Sequence, residues 1–351
     1  MAGGGGAVRA ATAHGDASVA PRLPALRVAV SDVFPGVDPG PMPWMRALRR
    51  RFDVQRVGLG GSPDVLFFSD FGTEHWGFPG LKVWFSMENM LPDPHQSDFA
   101  LTSLHRPGDP RHFRIPEFLY AIESPESLVR PAGFDAAAEA RAKRHFCSFV
   151  VSNPRGRERN ALFRVLDARR GVRSGGRHYN NVGGPVRDKQ AFLAECRFAI
   201  CFENTEASGY TTEKLTDAFL ARTVPIYWGN PDVARDFDPR SMILAHDFPS
   251  PEALADHVLA IDRDESAYAA CLAASPLRGN AVGPDLRLDG LDAVLHGWLT
   301  SGALPGRRVN RRRRLREHCY ASPLAQTWDN LRARADSKLW KLRHALVGTR
   351  R

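Results

Sequence analysis

Short, almost wholly apolar runs alternate along this chain with stretches of helical spacing, and that alternation limits the fold more than any other feature. Leu26–Val30, Asp64–Phe68 (DVLFF), Leu81–Ser86 (LKVWFS) and Phe99–Leu101 form one series; Phe146–Ser152 (FCSFVVS), Phe198–Phe202 (FAICF) and Val224–Trp228 (VPIYW) form a second. Runs of this length without polar alternation suit strands buried on both faces of a parallel sheet. Val54–Val57 adds a further strand, and the Gly58-Leu59-Gly60-Gly61 that follows is not a GxGxxG and reads as a turn. Helical spacing falls between the runs: Trp44, Met45, Leu48 and Phe52 in Pro43–Phe52, then Leu162, Val165 and Leu166 in Arg157–Asp167. Thr212–Ala221 is a third helix, and Ser250-Pro251 starts a fourth with an N-cap and a first-turn proline, placing Leu254, Val258 and Ile261 on one face. Strands alternating with helices imply α/β units on parallel sheets.

At 351 residues the chain is long enough for about two domains. Residues 131–145, rich in Ala and charge, read as a helical connector between them. The expected layout is a Gly/Ala-rich disordered leader at 1–24, an α/β domain at 25–142, a second at 143–300 and a tail at 301–351. The leader carries no apolar h-region of the kind a secretory signal needs. No apolar run approaches the ~18–20 residues of a membrane-spanning helix. Five cysteines, at 147, 196, 201, 271 and 319, include no CxxC, which speaks against a disulfide scaffold or a Cys-rich zinc site and for a reducing compartment.

The formal charge of +9 suggests a nucleic-acid binder until it is located. Residues 307–351 hold 14 basic and 3 acidic side chains; the other 306 hold 34 and 36. Basicity is therefore a property of the tail. Leu324, Trp328, Leu331, Ala335, Leu339, Leu342 and Leu346 recur there every three or four residues among Arg and Lys, after Arg311-Arg312-Arg313-Arg314. A basic amphipathic helix of this kind suits an anionic membrane surface. Packing back on the body and non-specific nucleic-acid binding are the competing readings. The near-neutral body, without interleaved basic and aromatic motifs, argues against specific nucleic-acid recognition.

The densest chemical signal runs from Cys201 to Lys214, out of a buried strand, through a polar loop and into a helix. Thr211 or Thr212 can cap that helix, whose N-terminus favours anions, and Lys214 adds a full charge in its first turn. Glu213 is placed to accept hydrogen bonds from hydroxyl groups. A capped helix after an ordinary Asn/Ser/Gly turn fits the same residues.

The stretch FENTEASGYTTEKLTDAFLARTVPIYWG, residues 202–229, resembles the donor-binding signature of the α-1,3/4-fucosyltransferases. Similarity continues through Asn153-Pro154 to Arg159-Asn160, through Asp232–Asp247, and more weakly around Glu88-Asn89, spanning about residues 26–270. The resemblance implies two Rossmann-like domains facing across a cleft, the GT-B architecture. It also implies inverting transfer of L-fucose from GDP-β-L-fucose to a sugar hydroxyl, with an N-acetylglucosamine-containing, lipopolysaccharide-type glycan as the expected acceptor. Carried over, it gives Lys214 and Arg159 the donor's pyrophosphate, Glu213 the ribose or fucose hydroxyls, and Asn204 and Tyr210 the wall of the nucleotide-sugar pocket. Sequence alone does not separate Arg159 from Arg155, Arg157 and Arg164.

Inversion needs a carboxylate to take the acceptor's proton. Glu88 follows the strand Leu81–Ser86, and the family has a similar E-N-x-x-P element whose Glu is the base; Asp93 and Asp98 are alternatives. Where family members often have Phe soon after that proline, this chain has Pro92-Asp93-Pro94. No cofactor and no metal is expected, although divalent cations can stimulate family members. His75, His95, His105 and His112 read as surface or structural. Bacterial members have similar basic C-termini, which implies a cytoplasmic enzyme resting on the inner face of the membrane through residues 307–351.

Overall fold

The computed structural model describes residues 23–301; residues 1–22 and 302–351, which hold the leader and the basic tail, lie outside the described residues. The first sheet is built from β1 (Ala25–Ser31), β2 (Asp53–Arg56), β3 (Val65–Phe68), β4 (Leu81–Phe85), β5 (Phe99–Thr102) and β6 (His112–Arg114), in the order β2-β1-β3-β4-β5-β6. The second contains β7 (His145–Phe149), β8 (Arg173–Ser174), β9 (Cys196–Phe202), β10 (Val224–Trp228) and β11 (Ile243–Leu244), in the order β11-β10-β9-β7-β8. Every pairing is parallel. These are the two facing Rossmann-like α/β domains expected, and each apolar run of the sequence is a strand. The three shortest strands, β6, β8 and β11, carry two or three residues each; β6 and β8 have no apolar run to announce them, and β11 sits in the four-residue run Met242–Ala245.

Successive strand residues point to opposite faces, so an all-apolar strand feeds two cores. On β3, Val65 and Phe67 join one core, and Leu66 and Phe68 another. Trp44, on α1 (Pro43–Leu48), stacks flat on Phe67 at 4.2 Å, a geometry worth ~0.5–1.5 kcal/mol beyond the area buried. The second sheet divides likewise. Phe149, Phe198, Ile200 and Ile226 pack among buried residues of α3 (Arg157–Arg170) and α6 (Pro251–Arg263). Ala199, Cys201 and Tyr227 face α5 (Glu213–Leu220), which follows α4 (Lys189–Ala194). The connector is helical only over α2 (Ala136–Ala142), which Asp135 caps. Beyond α6 lie α7 (Glu265–Ala273), α8 (Pro284–Arg287) and α9 (Leu291–Thr300).

The chain crosses between the domains twice, so order along the chain and packing partner do not coincide throughout. Phe118, Leu119, Ile122 and Leu128 lie before residue 142 but pack with Leu215, Phe219 and Phe237 of the second domain. In return, Leu291 and Leu295 of α9 lie before residue 300 but enter the core of the first. Trp298 stacks on Phe99 at 4.4 Å and donates to the Pro110 carbonyl at 3.1 Å. The i, i+4, i+7 spacing of Leu291, Leu295 and Trp298 defines an apolar face but cannot name the surface it covers. Among the described residues no helix is long and apolar enough to cross a membrane.

Candidate active site

In open parallel sheets, ligands gather beyond the carboxyl ends of strands. The loop leaving β9 is built around Glu203, a carboxylate with no exposed side-chain surface. Its Oε1 accepts from the Thr212 N–H at 2.8 Å, and its Oε2 from the Thr212 hydroxyl at 2.8 Å and from Lys214 Nζ at 3.1 Å. Three donors on one buried carboxylate draw the loop's far end back to its start. The approach is so close that a Cβ on Gly229, at φ +145°, would stand 2.5 Å from Glu203 Cγ. Thr212 is the cap of α5, and Thr211 instead shares a hydrogen bond with Tyr227.

Lys214 keeps its proton firmly. Burial alone would lower its affinity for the proton, but Glu203 and Glu213 outweigh burial and hold it above the usual lysine range. Glu213, 38% exposed, sits 3.9 Å from the same ammonium. Burial raises its carboxyl and is overcome by Lys214 and Lys189, leaving it below the usual range. The first turn of α5 therefore holds a fixed cation beside a partly exposed anion.

Arg159 is the inward-facing member of the four arginines: it is 1% exposed, whereas Arg157 and Arg164 are exposed and Arg155 half-buried. Its guanidinium donates to Asn204 Oδ1 at 3.0 Å, to the Asn153 carbonyl at 2.8 Å and to the Arg155 carbonyl. Burial pulls its pKa down to about 10, which still leaves it charged at neutral pH. The charge lies directly beneath Asn204. Gly156, at φ +112°, gives this side chain room, since a Cβ there would stand 2.9 Å from the guanidinium carbon. Tyr210 is 3% exposed, and its N–H donates to the Ala207 carbonyl at 3.1 Å within the loop.

Glu88 is held at the end of β4 in the opposite domain. Its N–H donates to the Ser86 hydroxyl at 3.0 Å, and that hydroxyl donates to Asp70 at 2.6 Å. The next residue, Asn89, is fully buried and reaches across to the Thr205 hydroxyl at 2.7 Å. The two sequence elements that carried the chemistry therefore meet, one from each domain. The alternative carboxylates are engaged in local structure: Asp93 accepts from the His95 N–H and the Gln96 amide, and Asp98 from the Lys82 N–H.

Two groups of this corner escaped sequence reasoning. Glu203 was visible as an acid directly after an apolar strand. Glu117 was not: it lies on a 3-10 turn, Glu117–Tyr120, and accepts the Glu213 N–H at 3.2 Å across 96 residues. Burial, with Glu213 and Glu203 adding, pushes its carboxyl well above the usual range. Among the histidines, His75 is fully buried and paired with Asp32 at 2.6 Å.

Comparison with known proteins agrees with this geometry. A family described as "Glycosyltransferase family 10 (fucosyltransferase) C-term" matches residues 140–273, and "Alpha-(1,3)-fucosyltransferase FucT N-terminal domain" matches residues 28–121. The α-(1,3)-fucosyltransferase FucT of Helicobacter pylori is 32% identical over 225 residues, covering 56% of this chain and 47% of that one. GDP-fucose protein O-fucosyltransferase 3 of Bos taurus is 41% identical over 80 residues, 22% of this chain and 16% of the relative. The chain thus spans less than half the length of the curated relatives it matches. A crystal structure of an α1,3-fucosyltransferase with GDP-fucose superposes with a TM-score of 0.69 at 25% identity, covering 82% of this chain and 94% of the other. The matched segments take in β1 through the 3-10 turn of Glu117 and then β7 through α7, so they include both sides of the junction between Asn89 and Thr205. On that ground the chain belongs to the fucosyltransferases of glycosyltransferase family 10.

Proposed function

We propose that the protein is an inverting α-1,3/4-fucosyltransferase that moves L-fucose from GDP-β-L-fucose to a glycan hydroxyl. The observation that carries this reading is the Asn89–Thr205 hydrogen bond, which sets the Glu88 segment against the loop leading to Lys214. In this mechanism the Glu88 carboxylate takes the acceptor hydroxyl's proton as the oxygen attacks the anomeric carbon. The bond to the GDP oxygen breaks through an oxocarbenium-like transition state, as in glycoside hydrolysis. Lys214 and Arg159 offset the charge that develops on the departing diphosphate. Glu213 holds the ribose or fucose hydroxyls, and Asn204 and Tyr210 line the nucleotide-sugar pocket.

An N-acetylglucosamine-containing, lipopolysaccharide-type glycan is the proposed acceptor, with the basic segment 307–351 bringing the enzyme to an anionic membrane surface from the cytoplasmic side. The bovine relative's name supplies a second acceptor class, a polypeptide. Divalent cations are proposed as stimulators at most. The test is a calorimetric titration with GDP and GDP-fucose, with GDP-mannose and UDP-galactose as controls, followed by glycan and peptide acceptors. Selective binding of GDP and GDP-fucose with transfer to a glycan is expected. Binding of another nucleotide sugar in preference would move the protein to a different donor, and transfer only to peptides would replace the glycan.

A further inference from the structure

The loop between Glu203 and Glu213 belongs by chain to the second domain but is gripped by both. The peptide of Gly209 shows this most directly. Its N–H donates to Asn230 Oδ1 at 2.9 Å, within its own domain. Its carbonyl accepts from Arg114 Nη2 at 3.1 Å, from the last residue of the edge strand β6 of the other domain. Gly209 sits at φ +90°, and a Cβ there would collide with the Ser103 carbonyl, so the two backbones lie directly on each other. One residue earlier, the His105 N–H donates to the Ser208 carbonyl at 3.2 Å.

Arg114 ties this seam together. Its Nε donates to the Ser103 carbonyl at 2.8 Å. Nη1 and Nη2 form a fork on Asp236 at 2.8 and 2.6 Å, and the Asp236 side chain has no exposed surface. One planar guanidinium therefore joins the end of β5, the loop and the segment after β10, a task the point charge of lysine cannot perform. Glu88 lies two strands away in the same sheet, beyond β4, and its neighbour Asn89 holds the other end of the same loop at Thr205.

We propose that Arg114 is a positioning residue for transfer: by fixing the Gly209 peptide and Asp236 against β6, it sets the donor loop at the distance and angle at which Glu88 acts. This rests on the fucosyl-transfer reading above. Arg114 takes no part in holding GDP; it acts on the alignment of two sites that sit in different domains. A displacement of about 1 Å between reacting groups can cost a hundredfold in rate.

The experiment compares Arg114→Lys in the native and Glu88→Gln backgrounds, measuring GDP affinity by calorimetry and kcat at saturating GDP-fucose and acceptor. In the native background kcat is expected to fall by about 10- to 100-fold, with GDP affinity held within about threefold. In the Glu88→Gln background the same substitution is expected to change the residual rate less than about threefold, because no base remains to be aligned. An unchanged kcat, an equal loss in both backgrounds, or a loss matched by weaker GDP binding would each overturn the proposal. If Arg114→Lys does not fold, Asp236→Asn tests the same fork from the other side. Native enzyme that neither binds GDP nor transfers fucose would overturn the functional reading, and this proposal with it; active native enzyme with unaffected variants would overturn this proposal alone.

Discussion

The polar corner between Glu203 and Lys214 and the rim of the first domain around Glu88 are organised in opposite ways. In the corner, buried charges are paired and hydrogen-bonded before any ligand arrives: Glu203 with Lys214 and Thr212, Arg159 with Asn204. At the rim, large apolar side chains stand in solvent: Phe34, Phe71, Leu91 and, at 53% exposure, Trp76. A site that must hold a diphosphate gains from donors fixed in advance, since their ordering is complete before binding. The rim is ordered by neutral contacts instead: the Glu88 N–H rests on the Ser86 hydroxyl, and Phe34 meets Phe71 edge-on at 5.2 Å. The contrast teaches that substitutions in the corner act through stability and charge, and those on the rim through chemistry or recognition.

The sharpest test of this division is Glu88→Gln. Transfer should fall by about 10²–10⁴, the usual worth of a general base, while the melting temperature and GDP affinity hold. Intact turnover would take Glu88 out of the role. Glu203→Ala is expected to do the reverse and unfold the corner. It leaves Lys214, which is 20% exposed, with Glu213 at 3.9 Å and the Thr212 hydroxyl at 2.9 Å, so the loss should lie near the lower limit for breaking a buried ion pair, about 3 kcal/mol in denaturant unfolding. Lys214→Ala removes one charge-assisted partner of the phosphates and should weaken GDP binding by about 1.5–3 kcal/mol, read by calorimetry; unchanged affinity would contradict its assignment.

A gentler probe is pH. Burial, aided by the charge of Arg106, lowers the His112 pKa from 6.5 to about 4, and His112 shares a hydrogen bond with Thr102 at 2.8 Å. Above 6.5 both the folded and unfolded forms are neutral there, so the group contributes no slope. Between 6.5 and 4 the unfolded chain takes up the proton and the folded one does not, so stability falls as pH falls. Comparing the unfolding midpoint of native protein and His112→Gln across that window isolates the effect; identical slopes would refute it. The smallest change expected is from Trp76→Ala, within about 0.5 kcal/mol of native stability and with GDP affinity unchanged. A large loss of stability would show that the rim is packed rather than open.

What the sequence made legible follows from the range of the interactions. Val65–Phe68 and the Phe198–Phe202 part of β9 announce themselves because burial on both faces leaves no polar position. The cap and Lys214 are local to one helical turn, so spacing narrows the cap to Thr211 or Thr212, and the structure assigns it to Thr212. Arg159 could be named as a candidate but not separated from its neighbours, because its choice depends on which helix face lies under β9. Glu117 and Arg114 had no signature, and Asp236 lay within the resembling stretch Asp232–Asp247 with nothing to mark it among its neighbours. Each is a single polar residue on a short turn or edge, and each gains its meaning from a partner about a hundred positions away. The same applies to α9, whose apolar face is visible but whose partner is not.

The double crossing of the chain has a consequence for synthesis. Domains ordinarily complete in the order in which they leave the ribosome. Here the half made first cannot be finished first, because Leu291, Leu295 and Trp298 are among the last described residues translated. The half made second has its borrowed piece, Phe118 to Leu128, already waiting. The nascent first domain must therefore carry an uncovered apolar face throughout the translation of its neighbour, and a gene divided at the linear midpoint would give each product a fragment of the other's interior.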